Sequence, residues 1–503
     1  MEALKVVNVW KRFGGLVALK NVSFSVKEGE LLGIIGPNGA GKTTLFNVMT
    51  GFYKPDKGRI LFYGKDITGK PPFELAKKGL VRTFQLVKPF LGMTVLDNVL
   101  VSVYMRYGVF RGISEEEARE KAREKLKKEP KAALVFSSKS KYPDHKALAD
   151  ELSSTLGDIP FAGVSTAGEY TDEGVHKGSI SVFLVGTDDF KIGIGVGENV
   201  LENPVDAGYR AARRALEALK DFKFSFKVEN IYCVPLVALM FSAPGREEDV
   251  IHGIRRALGC VPQIIGGSSG DDYELKPPFG YQIANGKSHT NSVVVVLIAS
   301  RFRLGIGGEH PYKYAGKRGI ATKVEGARNE VLAEIDGESA LRVYSRWIGR
   351  NEEEVAKNML AIGLEYPIGL PDHRGRRYFV KHPAIVDGDK IINFAEIPEG
   401  SAIHLLKAKP EETVEATDKA LEKAIARAGT AEPLASILIH CAGSAAFLGD
   451  RVSESFRKIK ARLGKAALIG LNSYGEQWPR YGGPVVHQNL TTAFLIIGKE
   501  KAF

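Results

Sequence analysis

The chain is poor in cysteine. Cys233, Cys260 and Cys441 are spread singly over 503 residues. That excludes a disulfide framework and the paired spacing of a zinc site, and it is what a reducing cytosol favours. Long apolar runs are also lacking. In the larger, C-terminal part the longest, Val293 to Ala299, is far too short to cross a bilayer, and the N-terminus shows no secretory signal. A cytoplasmic protein without a membrane span is expected. Acidic residues are scarce at one end only. Residues 1–128 hold 23 Lys plus Arg against 12 Asp plus Glu, whereas residues 129–503 hold 47 of each. The basic residues are scattered among structured segments without interleaved aromatics. The asymmetry therefore reads as a shift between two ancestries, and no nucleic-acid partner is expected. The length predicts roughly three domains of ~150 residues.

What is present begins with a phosphate loop. Gly36, Pro37, Asn38, Gly39, Ala40, Gly41, Lys42, Thr43 and Thr44 meet the spacing G-x-x-x-x-G-K-[ST]. The apolar run Leu31 to Ile35 predicts a buried strand before the loop, and a helix is predicted to start at Lys42. Glycines let backbone N–H groups curl around phosphate oxygens, and the helix N-terminus adds positive potential. Lys42 would reach the β and γ phosphates, and the Thr43 hydroxyl would ligate Mg²⁺.

The flanking stretches KRFGGLVALKNVSFSVKEGE (Lys11 to Glu30) and VRTFQLVKPFLGMTVLDNV (Val81 to Val99) extend the pattern. Together with the loop they resemble the ATPases of ABC transporters, most closely those of branched-chain amino-acid importers. The resemblance implies a P-loop α/β segment that takes ATP and Mg²⁺, with Phe13 stacked on adenine and Gln85 at the metal and water. It covers residues 1–128 and then stops. No LSGGQ-like signature, no apolar strand ending in Asp-Glu and no switch histidine follow. Phosphoryl transfer needs water orientation and charge neutralisation besides a cradle. Nucleotide binding without efficient hydrolysis is therefore expected, so the chain as a whole leans away from being an enzyme. The alternative is an ATP-binding subunit of an amino-acid transporter, associated with it peripherally. Loss of the family's parallel neighbours would also leave a strand edge bare.

The junction is legible. Ser114 to Lys128 predicts a helix, with a capping box from Ser114 and Glu117 and i,i+4 pairs along it. Glu129-Pro130 ends it. Beyond lies a mixed α/β pattern in which no internal repeat is apparent. Strands are predicted at Lys131 to Ser137, Ser179 to Gly186, Lys191 to Gly195, Val293 to Ala299, Phe302 to Ile306, Ser436 to His440 and Thr492 to Ile497. The second and third of these are expected to pair as neighbours. Helices are predicted at Asp144 to Leu156, Pro204 to Leu219, Glu247 to Leu258 and Glu412 to Ala428.

Polar, glycine-rich loops punctuate this portion: Gly163 to Glu169, Gly266 to Asp272, His440 to Ser444, Asn472 to Glu476 and His487 to Asn489. In this order, with EIDGESALRVY (Glu334 to Tyr344) and YPIGLP (Tyr366 to Pro371), they resemble the FIST sensory domain. An N-terminal module over 129–328 and a C-terminal module over 329–503 are expected. The resemblance implies an input module of signal transduction that binds a small ligand, expected to be an amino acid, and needs no cofactor. Ser165, Thr166, Gly267, Ser268 and Ser269 are candidates for the ligand carboxylate. Glu169, Asp271, Asp272 and Glu476 are candidates for its ammonium. Cys441, Tyr474 and Asn489 complete the set. Set against this, Gly-Ser-Asp loops commonly bond their own backbone, and Cys441, ending an apolar strand, reads first as a small core residue. His440 and Cys441 are adjacent and so face opposite sides of their strand. No transmitter domain is visible, so the downstream signalling partner is left open.

Overall fold

The computed structural model describes residues 2–30, 32–34, 36, 40–78, 80, 130–219, 226–228, 231–233, 236–259, 263–372, 375, 377–479 and 485–501. Pro37 to Gly39, Gln85 with the stretch Val81 to Val99, and the junction helix Ser114 to Lys128 lie outside the described residues. The chain divides into two compact units, Met1–Ala122 and Arg123–Phe503.

In the first unit, β1 (Glu2–Phe13) lies antiparallel between β2 (Leu16–Lys27) and β3 (Lys57–Phe62), and β4 (Lys65–Asp66) pairs with β3. Val6, Val9, Leu19 and Ile60 of this sheet pack on α1 (Lys42–Met49) and on Leu75 of α2 (Pro72–Lys77). The predicted strand before the phosphate loop is not formed at residues 32–34. Backbone groups become a strand only by pairing, and among the described residues no neighbour is available to that segment.

The second unit repeats one plan three times, which corrects the expectation of no internal repeat. The first copy runs β5 (Ala132–Ser138), α3 (His145–Leu156) and β6 (Phe161–Thr166), a hairpin of β7 (Glu169–Thr171) and β8 (Gly174–His176), then β9 (Ile180–Val185), β10 (Phe190–Glu198) and α4 (Pro204–Glu217). A short hairpin, β11 (Phe226–Val228) and β12 (Ile231–Cys233), follows. The second copy runs β13 (Leu236–Ser242), α5 (Glu247–Leu258) and β14 (Gln263–Ser268), a hairpin of β15 (Gln282–Ala284) and β16 (Lys287–His289), then β17 (Ser292–Ser300) and β18 (Phe302–Glu309). An inserted module comes next: β19 (Lys313–Glu325), β20 (Val331–Ile335), β21 (Glu338–Ser339), α6 (Ala340–Ile348), α7 (Glu352–Glu365), β22 (Ile368–Pro371), β23 (Tyr378–Lys381), β24 (Pro383–Asp387), β25 (Lys390–Asn393) and β26 (Ala402–Lys407). It closes on its own core of Leu332, Tyr344, Val355, Ile368 and Leu405. Then α8 (Pro410–Ala428) leads to the third copy: β27 (Pro433–Cys441), α9 (Ala442–Leu448), α10 (Val452–Leu463) and β28 (Ala467–Ser473), a hairpin of β29 (Glu476–Pro479) and β30 (Val485–Gln488), and β31 (Thr492–Lys501).

In each copy the two leading strands are parallel. Each hairpin, however, completes a different copy's sheet. β7 pairs with β28, β15 with β6, and β29 with β14. The sheets are ordered β16-β15-β6-β5-β9, β10-β17-β13-β14-β29-β30 and β18-β31-β27-β28-β7-β8. Thus β9 and β10, expected to be neighbours, lie in different sheets, and residues 186–189 carry the chain from one to the next. The stretches expected as Gly-rich loops are largely the last residues of β6, β14 and β28, followed by short turns, and of β27, followed at once by α9. The expected 328/329 boundary falls between β19 and β20, which pair with each other. Two of the three repeat sheets take strands from both sides of it.

The inner faces of the three sheets share one core, with Phe136, Phe241, Ile265, Ile439 and Leu471 drawn from all of them. Helices cover the outer faces. α4 and α5 bury Ala207, Ala211, Ala215 and Ile254, and α8 and α10 bury Ala420, Ala424 and Ile459. The contact is very close. A Cβ on Gly195 of β10 would fall 2.0 Å from the Ala211 carbonyl oxygen, and one on Gly307 of β18 would fall 2.2 Å from that of Ala420. Glycine alternating along the strand therefore meets alanine at every fourth residue of the helix. The two strands also read alike, FKIGIGVGE and FRLGIGGE. Replacing Gly195 or Gly307 by alanine is expected to cost about 1–3 kcal/mol through overpacking, read as a lowered urea midpoint. An unchanged midpoint in both variants would show that the helices yield.

Candidate functional site

The ends of β6, β14 and β28 are knitted into a ring. Ala167 N donates to the Asn472 carbonyl at 2.9 Å, and Asn472 N donates to Gly168 at 2.7 Å. Ser268 N donates to Gly475 at 3.0 Å, and Gly270 N donates to Ser165 at 2.9 Å. At each strand end a hydroxyl donates to a buried carboxylate. Thr166 Oγ1 reaches Glu169 at 2.5 Å, Ser473 Oγ reaches Glu476 at 2.8 Å, and Ser268 Oγ reaches Glu247 at 2.6 Å. Two of these pairs share a spacing, Thr-Ala-Gly-Glu and Ser-Tyr-Gly-Glu. In the second copy the acid comes instead from the first turn of α5. Glu247 escaped sequence reading because it lies on the adjacent helix, 21 residues before Ser268.

Glu169 also accepts from the Ser179 hydroxyl, and Glu476 accepts from Thr491 N and Oγ1, each at 3.2 Å. Both acids are fully buried. Loss of hydration pushes the Glu169 carboxyl up to about 7 and that of Glu476 up to about 8, against these hydrogen bonds.

The other residues expected around a ligand converge on the same ring, with their polar atoms turned on one another. Ser165 Oγ donates to Gly270 O at 2.8 Å and accepts from Tyr281 N at 2.9 Å. Ser269 Oγ donates to Phe279 O at 2.8 Å. Asp271 accepts from the Tyr474 hydroxyl, from Leu275 N at 3.1 Å and from Lys276 N at 2.9 Å. Asp272 sits at φ 57° and accepts from Ser138 Oγ at 2.8 Å and Ser140 N at 2.7 Å. A side chain on Gly267 would press on Ser473 at 2.7 Å.

Asn489 stands to one side, whereas Cys441 lies beside the Glu476 carboxyl of the ring. Cys441 is buried among Tyr312, Leu406 and Leu490, and burial raises its thiol pKa. Asn489 ties the third copy to the inserted module, accepting from His382 N at 3.3 Å and donating its own N–H to Val380 O at 3.1 Å. His440 packs edge-on against Tyr170, its Nδ1 2.7 Å from the phenol oxygen, and burial pushes its imidazole down to about 4.

An open cavity lies elsewhere. A groove of ≈ 760 Å³ runs between α8, the connection from β18 to β19, and the residues around Tyr378. Trp478 forms its floor, 6 % exposed, and its Nε1 donates to Thr491 Oγ1 at 3.2 Å. Thr491 is the residue that also holds Glu476. Tyr312, Tyr314 and Tyr378 add aromatic walls. None of the residues picked from sequence lines the groove. Its one nearby signal was Trp478, two residues beyond Glu476.

In the first unit, Lys42 Nζ folds back onto the Gly36 carbonyl at 2.5 Å. Gly41 caps α1 at φ 85°, where a Cβ would strike the Ala18 carbonyl at 2.4 Å. Thr43 and Thr44 follow in the first turn of the helix, behind Ala40 and Gly41. Phe13 is 42 % exposed and meets Tyr53 edge-on at 5.1 Å. The described residues fit a phosphate group: a glycine that only a bare backbone can occupy, a helix N-terminus and a lysine in its first turn. Bound ATP would supply the phosphates, and Thr43 would be the residue to hold a Mg²⁺ ion.

The two raised carboxyls predict a pH dependence. Between the ordinary value near 4.5 and about 8, Glu476 keeps its proton in the fold while the unfolded chain loses it. The folded state then binds more protons, so stability is full in acid and falls as pH rises, by up to about 1.4 kcal/mol per unit. Glu169 adds the same sign up to about 7. Glu476→Gln is expected to flatten the fall in denaturation midpoint between roughly pH 5 and pH 8. An equally steep fall in the variant would show that Glu476 ionises freely.

Comparison with known proteins places these features. The FIST N domain model matches residues 131–338, the FIST C domain model residues 340–479, and the ABC transporter model residues 19–167. The N-terminal part is 54% identical over 101 residues to the probable branched-chain amino acid transport ATP-binding protein LivG of Methanocaldococcus jannaschii, covering 20% of this chain and 39% of that protein. It is 46% identical over 117 residues to the high-affinity LivG of Salmonella typhimurium, covering 23% and 46%. The chain thus spans less than half the length of the curated relatives it matches. A solved nucleotide-free ATP-binding cassette from an ABC transporter is 44% identical over 25% of this chain and 55% of its own, with a TM-score of 0.21. Residues 131–338 and 340–479 therefore carry FIST N and FIST C domains, set behind a segment of the ABC-transporter ATPase type.

Proposed function

We propose that residues 129–503 are a small-ligand input module and that the ligand enters the groove floored by Trp478. One observation carries this reading. The groove lies where β18 leaves the repeat core for the inserted module and α8 returns from it. A ligand held there touches both parts, so its binding energy differs between two settings of the module, which is what a sensor requires. Cavities at such junctions are common ligand sites. FIST domains and relatives named for branched-chain amino acid transport both favour an amino acid or a related metabolite as ligand. The ring of buried acids then serves as the rigid base.

For residues 1–128 we propose nucleotide binding at Gly36 to Thr44 without efficient turnover, because the residues that orient water and complete charge neutralisation do not follow. The reading as a transporter subunit rests on the LivG relatives. It requires ATP turnover that Lys42→Ala abolishes, and turnover like that of a complete transport ATPase would displace the sensor reading.

Thermal unfolding in the presence of an amino-acid panel tests the sensor. Ligand at a hundredfold excess over Kd is expected to add about 2.7 kcal/mol. No shift with any member at millimolar concentration rejects it. ATP is expected to bind with Lys42 intact and at least tenfold more weakly in Lys42→Ala, measured by calorimetry.

A further inference from the structure

Resting on the groove assignment above, we infer that its ligand is a carboxylate carried on a flat ring, held by Arg377 and Lys419 against the tyrosine walls. Lys313, Arg377, Lys419, Lys423 and Arg427 rim the groove, against Glu309, Glu412 and Glu415. The carboxylates are answered within the protein. Glu309 pairs with Lys423, Glu412 accepts from Lys313 Nζ at 2.6 Å, and Glu415 acts on the same Lys313 through its field. Arg427 Nη1 is spent on the Ile306 carbonyl at 2.6 Å.

Two cations are left over. Among the described residues, the side chains of Arg377 and Lys419 make no hydrogen bond or ion pair, and both are exposed at the rim. The groove therefore presents surplus positive charge above an aromatic floor. A guanidinium offers a planar fork that matches a carboxylate, and the lysine adds a point charge. Tyr312, Tyr314, Tyr378 and Trp478 offer ring faces and edges to a flat group. An ammonium on the ligand would meet the surplus of like charge, so recognition runs through carboxylate and ring, and the amine of an amino acid is dispensable.

The test uses the full chain and phenylacetate as probe, followed by the fluorescence of Trp478. The Trp478→Phe variant identifies that signal among Trp10, Trp347 and Trp478. A saturable change is expected, weakened about tenfold or more in Arg377→Gln and in Lys419→Gln, with no change on titrating phenethylamine. Urea midpoints confirm that these two surface variants remain folded. Stabilisation by leucine with phenylacetate inert would leave the sensor reading intact and remove this ligand class. Silence towards both would remove both readings. Equal binding of phenethylamine, or unchanged affinity in both variants, would also overturn the inference.

Discussion

Everything in the larger unit depends on hydrogen bonds that join the ends of three parallel strand pairs. A parallel pair leaves open the edge of its second strand, and unpaired backbone groups there attract the wrong partner. Each copy closes that edge with a neighbour's hairpin. In the first and third copies the hairpin starts beside a threonine or serine that bonds a buried acid, so the turn leading out of one sheet is tied down where it enters the next. The acids have hydroxyl and amide donors in place of cations. Burial, opposed by these donors, raises the Glu169 and Glu476 carboxyls above the usual range, and the clasped strand ends form a rigid base.

That base explains why the residues first suspected of holding a ligand are occupied. Ser165, Ser269, Asp271 and Asp272 each bond backbone groups. An open groove lies one layer out, at the place where the inserted module departs. Trp478 connects the two levels, with its indole under the groove and its N–H on the threonine that holds Glu476. A change at the floor therefore has a short, polar route into the ring.

Local signals in the sequence carried the helices well. Glu247–Leu258 is where its apolar spacing placed it, and Asp144 caps α3 by accepting from Ala147 N. Strands were found, but their partners were not. β9 and β10 are four residues apart and read as a hairpin, whereas the pairing that decides the matter comes from β5 and β17, on either side in the chain. The threefold plan was hidden by unequal lengths: the connection from β10 to α4 is short, while the corresponding one from β18 to α8 holds the whole inserted module. Only the shared glycine pattern of β10 and β18 betrays it. The motif residues Thr166 and Glu169 were recognised as chemically special, yet their spacing is equally that of a strand-end clasp, and composition does not separate a clasp from a ligand site. The groove residues gave no signal because charged residues four apart on α8 look like any solvated helix face.

The interchange of hairpins also sets an order of assembly. β14 emerges from the ribosome more than two hundred residues before β29, the strand that completes its sheet, and β6 must wait for β15. None of the three repeat sheets is finished by its own copy's stretch of polypeptide. β7 and β14 must therefore be kept from pairing elsewhere until β28 and β29 have been translated, and a nascent chain halted in the third copy would hold a sheet that nothing upstream can close.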